Sequence, residues 1–570
     1  MSAHLATKTG RVAAGGSLLV GGIAGAWVLA PQAGAATTFH VTTTGDSGAG
    51  SLRQAIDDAN NNAGADIVVF DASATGTITL TTGQLAISDD VTITGLGAVD
   101  SIISGNNASR IFYIYNNAAS LTVSISGLTM TDGTDTSYGG GAIANWGNNL
   151  SITSSVLSGN VTSSQGGAIL SAIPASGLGA TASLEISDSE ISGNTAGTYG
   201  GGIVLYKVGD VTITNSIISG NQSTNEGGGL NGIRVGNVAI SDSTIQGNSG
   251  AEGGAGIYVY NAGDVSIDST TFDQNTAAQG DGGGLYASST NSFTMTNSTV
   301  SGNQALDGAG VQIGSNGDVL IANSTFANNV GSPTVGNGGA LYSWRSTGDM
   351  RIMFSTFSGN STNIGTVLLK NIGANAAEIT GSVISDNTTV TGTGAQAVDL
   401  QLAGTGTATV TNSLIMGAVG GNVPIDGGGI ITGGVSAQLG ALADNGGATF
   451  TMEPATGSPV IDAGPLTWTA FTGDGSDQRA GLYLRVYNGQ SDMGALEVQP
   501  APVPPTSSTS STSTSSTSSS TSTSSTSSTS SSTSTSSTTT VAPNDTTTTV
   551  APDDTTTTVG TDPMIPTFTG

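Results

Sequence analysis

The chain has 570 residues, of which only 9% are charged, with 87 glycines and no cysteine. That composition suits neither a compact enzyme nor a disulfide scaffold and calls for a regular, glycine-tolerant architecture. A formal net charge of −28 opposes nucleic acid and anionic membrane as partners, and the absence of cysteine excludes thiolate metal sites, thiol catalysis and disulfides.

Residues 1–36 carry a short basic region (Lys8, Arg11), the apolar stretch "SLLVGGIAGAWVLA" and the small residues "AGAA". They read as a secretory signal peptide, cleaved near Ala35 or Ala36. No other stretch is long and apolar enough to span a bilayer. The mature chain is therefore expected to be secreted or attached at the cell surface, without a membrane-spanning segment, and His40 is its only histidine.

Residues 37–99 are expected to form an N-terminal cap and the first strands. In "GSLRQAIDDANNN", Ser51 followed three residues later by Gln54 predicts a capping box. Leu52, Ala55, Ile56 and Ala59 share one face of the helix that it opens, and this face should close the end of a core.

From 100 to 435 one phrase recurs: "NSIISGN" at 215–221, "NSTVSGN" at 297–303, "NSTFANN" at 323–329. Its final Asn falls at 160, 194, 221, 248, 275, 303, 329, 360 and 387, at intervals of 26 to 34 residues, which is a solenoid period. Each repeat holds three short period-two patterns: a V-x-I unit such as Val211 and Ile213, a single apolar residue such as Ile218, and a glycine cluster followed by residues such as Ile203 and Leu205. The predicted fold is all-β, a right-handed parallel β-helix of about 12 coils with strands about 4.8 Å apart, making a rod roughly 60 Å long. The recurring Asn is expected to adopt the left-handed turn conformation and to pass amide hydrogen bonds from coil to coil.

Two repeat elements, "GGAI" at 140–143 and 166–169 and F-x-x-N in "FDQN", "FANN" and "FSGN", resemble the repeats of polymorphic outer-membrane proteins. That resemblance implies a surface-exposed, adhesin-like β-helix. "GSLRQAI" with the following "AN" and "GADIVVFD" is similar to the CSLREA segment found ahead of bacterial β-helices, with Gly50 in place of Cys and Gln54 in place of Glu. Residues 436–499, with "AQLGALADNGGATFTMEPATGSPVIDAG", "DQR" and "DMGALE", resemble the choice-of-anchor Q region, which implies a secreted or surface location. Residues 500–570 are Ser-, Thr- and Pro-rich and read as a disordered stalk.

Candidate chemistry lies where the repeat varies. An acid stands just ahead of the glycine cluster in four successive coils, Glu226, Glu252, Asp281 and Asp307. Stacked carboxylates repel by roughly 1 kcal/mol even in water, so the column reads as a solvated turn, as a Ca²⁺ site built from oxygen ligands, or as a catalytic pair. A second column, Asp210, Asn237, Asp264, Ser292, Asp318 and Asp349, reads as a structural corner of turn formers. After the glycines stand Tyr206, Tyr258, Tyr260, Tyr286, Tyr342 and Trp344, with Lys207, Arg234 and Arg345 nearby. These aromatics read either as a glycan-binding strip or as stacking between coils.

No catalytic residue is assigned, since a Ser-His-Asp site would need His40, far from any nucleophile motif. The expectation is a monomeric, non-enzymatic surface protein that adheres to or binds an extracellular glycan or cell-envelope polymer. The alternative is a polysaccharide lyase or glycoside hydrolase using carboxylates on the β-helix face.

Overall fold

The computed structural model describes residues 35–117, 119–173, 182–332, 337–372, 377–390 and 398–500. The sequence read as a signal peptide, up to residue 34, and the Ser/Thr-rich stalk from residue 501 lie outside the described residues. The described secondary structure is β throughout, apart from the helix Leu52–Asn61 and one 3₁₀ turn at Ala72–Ala74. Among the described residues no helix is long and apolar enough to cross a membrane. The chain divides into two compact units, one running up to Asn237 and the other from Val238 onward, with Ile173 and Asn225–Gly227 assigned to the second.

In the first unit the helix Leu52–Asn61 buries Leu52, Ala55, Ile56 and Ala59 against the strands Thr38–Val41, Asp66–Phe70 and Leu85–Ile87. The expected capping box is half formed. The Ser51 hydroxyl accepts from the Gln54 amide N–H at 3.2 Å, but the Gln54 side chain donates to Asp58 at 2.7 Å instead of reaching back. The Ser51 N–H is already satisfied by the Gly48 carbonyl at 3.1 Å, so the reciprocal bond has no vacant donor to find. Beyond this cap, strands pair in parallel and in register, so that Ile93, Ile125, Ile152, Ile186 and Ile213 stack in one buried column. The polar residues between them face outward, as the period-two pattern requires.

The second unit repeats this arrangement with larger side chains. Phe272, Val300, Phe326, Phe357, Ile384 and Ile415 are register partners along its column of short strands. The Phe326 and Phe357 rings stack 4.6 Å apart. One such short strand marks each coil: six belong to the first unit and seven to the second. Both units are therefore parallel β-helical stacks whose coils are not self-sufficient, since each buries its apolar residues against its neighbours.

The recurring Asn column is a ladder. Within the second unit Asn275, Asn303 and Asn329 are fully buried. Each donates its side-chain amide to the next Asn carbonyl, at 2.9 Å for Asn275 to Asn303 and 3.0 Å for Asn303 to Asn329. The left-handed conformation expected of these residues belongs instead to the residue just before them: Gly247, Gln274, Gly302, Asn328, Gly359 and Asp386, with φ from 54° to 70°. The turn thus needs its permissive residue one step earlier, leaving the ladder Asn free to aim its amide inward. A second ladder runs beside it. The Ser298, Ser324, Ser355, Ser382 and Ser413 hydroxyls each accept a backbone N–H from the preceding coil at 3.0 to 3.4 Å. A small turn residue at this place in the repeat gives no sign in the sequence of the bond it makes.

The region 436–499 adds the antiparallel pair Leu439–Ala443 and Thr451–Pro454 and then docks on the coils through buried polar groups. The Gln478 carboxamide accepts from the Thr325 hydroxyl at 2.6 Å and donates to the Thr299 hydroxyl at 2.9 Å. The Arg485 guanidinium donates to the Asn323 carbonyl at 2.7 Å, while Arg479 pairs with Asp477 at 2.6 Å.

Candidate binding face

A left-handed glycine, Gly227, Gly254, Gly282 or Gly308, turns the chain sharply into the third strand of these coils. Gly282, at φ 63°, illustrates the constraint, because a Cβ there would sit 2.6 Å from the Leu285 carbonyl oxygen and 2.9 Å from the Tyr286 Cβ. This turn fixes both the acid ahead of it and the aromatic after it.

Bridges and backbone bonds place Gly253, Asp281 and Asp307 in register in successive coils. Glu252 therefore stands one residue out of the column, with Gly253 in its place, and it is exposed. Asp281 is half-buried, and burial, together with the neighbouring Asp307, pushes its carboxyl up to about 6, opposed by a 3.1 Å bond from the Gln312 amide. Asp307 is also raised, chiefly by burial, although Asn337 donates to it from its backbone at 2.7 Å and from its side chain at 3.0 Å. Glu226 is raised by burial first and by Glu252 to a lesser degree.

Calcium takes roughly six to eight oxygen ligands. Among the described residues no three His, Cys, Asp or Glu side chains lie together in a group that could hold a metal. The acids are spread along the stack, and Asp281 and Asp307 already accept from amide groups.

The aromatic residues divide by burial. In the first unit Tyr206 is only 6% exposed. Its hydroxyl accepts from Arg234 at 3.2 Å, and the Lys207 ammonium lies 4.8 Å over its ring. In the second unit Tyr258 and Tyr286 are register partners whose rings stack 4.8 Å apart at an interplanar angle of 6°. Tyr260, two residues along the same strand, is 41% exposed. Tyr342 is buried, and burial, with Asp307 and Asp281 nearby, pushes its phenol up to about 12. Trp344 lies over Gly314, where a Cβ would come 2.6 Å from its indole nitrogen, and Arg345 stands 5.1 Å above its ring. The second unit thus brings Tyr258, Tyr260 and Tyr286 together on one face beside Asp281. Tyr206 and Tyr342 serve as packed rings rather than open platforms.

One feature was missed by sequence reading. Outward positions of the V-x-I strands, Asp318, Asp349, Arg351 and Glu378, line a cleft of about 720 Å³ whose other wall is Thr469. The in-register placing of Arg351 against Glu378 follows from the repeat alone, but the wall comes from a segment about ninety residues onward that no periodicity announces.

No curated protein matches this chain. Residues 171–357 match the family described as "Right handed beta helix region", so the handedness expected from the repeat and the parallel stacking seen in both units agree with what this part of the chain is similar to.

Proposed function

We propose that this chain is a secreted or cell-surface β-helix protein, non-enzymatic, that binds an extracellular glycan or cell-envelope polymer through the aromatic face of its second unit. The observation that carries the reading is the parallel Tyr258–Tyr286 pair with the exposed Tyr260 beside it. Sugar rings present apolar C–H faces to such rings, and nearby carboxylates and phenols supply hydrogen-bond partners for hydroxyls. The signal-like residues 1–36, the stalk composition of 500–570 and the resemblances to the CSLREA and choice-of-anchor Q segments support the location.

A glycan array probed with the wild type and with the combined variant Tyr258→Ala, Tyr260→Ala and Tyr286→Ala tests the proposal. Wild-type signals should fall at least tenfold in the variant, and unchanged binding would refute the aromatic face. A second reading is favoured by one observation, the Asp281 carboxyl held at about 6 next to Asp307. Glycoside hydrolysis uses a pair of carboxyls, one of them protonated as the acid, and burial raises both Asp281 and Asp307 toward the protonated form. Release of new reducing ends from polysaccharides, lost in Asp281→Asn, would replace the non-enzymatic reading with that one.

A further inference from the structure

The turn position that precedes each ladder hydroxyl, a serine or in one coil Thr270, is left-handed in every coil of the second unit: Asp242, Ser269, Asn297, Asn323, Phe354, Gly381 and Asn412, with φ from 41° to 61°. Five of these are Gly, Asn or Asp, which tolerate the conformation, and Ser269 is small. Phe354, at φ 44°, is the exception, and a bulky side chain held in that conformation is strained. What it contacts explains the choice. Trp468 meets its ring edge-on at 4.9 Å, Phe471 lies at 6.5 Å, and the Arg485 guanidinium sits 4.5 Å over it. Phe354 is an anchor that holds the segment around Thr469 out over the coils. Trp468 is further fixed by its indole N–H donating to Asp474 at 3.3 Å.

The segment so held forms one wall of the 720 Å³ cleft, a size within the range of about 300–1,000 Å³ usual for small-ligand sites. Its far side is the outward face of three successive strands, where Leu320, Arg351 and Glu378 are register neighbours. Glu378 accepts from the Thr469 hydroxyl at 3.4 Å, which closes the cleft at that end. Arg351 is half-buried and forms no ion pair among the described residues, so its donors are available. Asp318, Asp349, Ser292 and Thr294 add the rest of the polar lining.

We propose that this cleft is a second carbohydrate site, taking a short segment of a neutral or amino-sugar chain. A guanidinium beside carboxylates offers the donors and acceptors that adjacent sugar hydroxyls need together, and Leu320 offers an apolar patch for a ring face. Three carboxylates against one guanidinium leave an excess of negative charge, which rejects uronate, sulfate and phosphate polymers and favours ammonium-bearing sugars. The site shares the glycan reading given above but uses none of the same residues.

Calorimetric titration of the full chain with tetramers of glucose, N-acetylglucosamine, glucosamine and galacturonate tests it. At least one of the first three is expected to bind and the galacturonate tetramer is not. Arg351→Ala combined with Glu378→Gln should weaken that binding at least tenfold with an unchanged melting temperature. Phe354→Ala should weaken it too, by releasing the wall, while the triple Tyr258, Tyr260 and Tyr286 variant should bind as wild type. Absence of binding by all three permitted tetramers overturns the proposal, as does wild-type affinity in the Arg351/Glu378 variant. Binding lost only in the tyrosine variant would overturn the cleft and leave the aromatic face standing.

Discussion

A single ladder asparagine shows how much rests on one side chain in a solenoid. The Asn303 carbonyl accepts from both the backbone and the side-chain N–H of Asn275, each at 2.9 Å, and its amide donates to the Phe272 carbonyl and to Asn329, at 2.9 and 3.0 Å. All of these groups are buried, so Asn303→Ala strands several donors and acceptors at once. A buried polar group left unsatisfied costs roughly 1–3 kcal/mol, and a loss of about 3 kcal/mol is expected from the second unit. Residue-resolved hydrogen exchange should show it as faster opening of the coils around 272–329, and protection equal to wild type would contradict the ladder as a stabilising element. The same residue marks what pattern reading can and cannot see. The nearly constant spacing of these Asn residues announced a ladder, yet the left-handed φ lies on Gly302, because spacing cannot tell which of two adjacent turn residues takes the strained conformation.

Among the elements, the helix Leu52–Asn61 is the part whose local signals and structure agree most closely. Its apolar spacing, its position ahead of the coils and its Ser51 cap were all readable, because each depends on residues within one or two turns. Ser51→Ala removes the acceptor for the Gln54 N–H and should cost about 1 kcal/mol. Denaturant unfolding of the first unit measures this, and because the Gln54 side chain bonds Asp58 rather than Ser51, Gln54→Ala should cost less than Ser51→Ala. Equal losses would mean that the reciprocal capping bond forms after all. The strands were legible for the same reason, since the two-residue period and the repeat are both local. The cleft wall was not. It depends on Phe354 meeting Trp468 and Phe471 across more than a hundred residues of sequence, and a phenylalanine in a turn reads as an ordinary interruption of the pattern until its partners are known.

At the scale of the molecule, acidity acts in opposite directions in the two units. In the second unit burial raises Asp281 and Asp399 to about 6 and Glu497 to about 8, against roughly 4 for the same groups in an unfolded chain. The folded state then binds more protons than the unfolded one. This contribution to stability is complete below about pH 4 and is lost as pH rises through about 6 and on toward 8. Asp46 in the first unit behaves oppositely: burial works against its charge, but the Arg53 ion pair and bonds from Thr82 and Thr81 outweigh it and hold the carboxyl well below the usual range. Its contribution is present above about pH 4 and disappears only in stronger acid. Hydrogen exchange followed in each unit from pH 3 to 9 should therefore show the second unit most protected, after correction for intrinsic exchange, at about pH 4 and below and declining toward pH 8, while protection around Asp46 falls below about pH 4. Asp281→Asn keeps an acceptor for Gln312 and removes the charge that faces Asp307, so it should raise the stability of the second unit at pH 7 and abolish the part of the decline that falls between about pH 4 and 6. A variant that still loses stability through that range would show that the Asp281 carboxyl is not among the groups that titrate there.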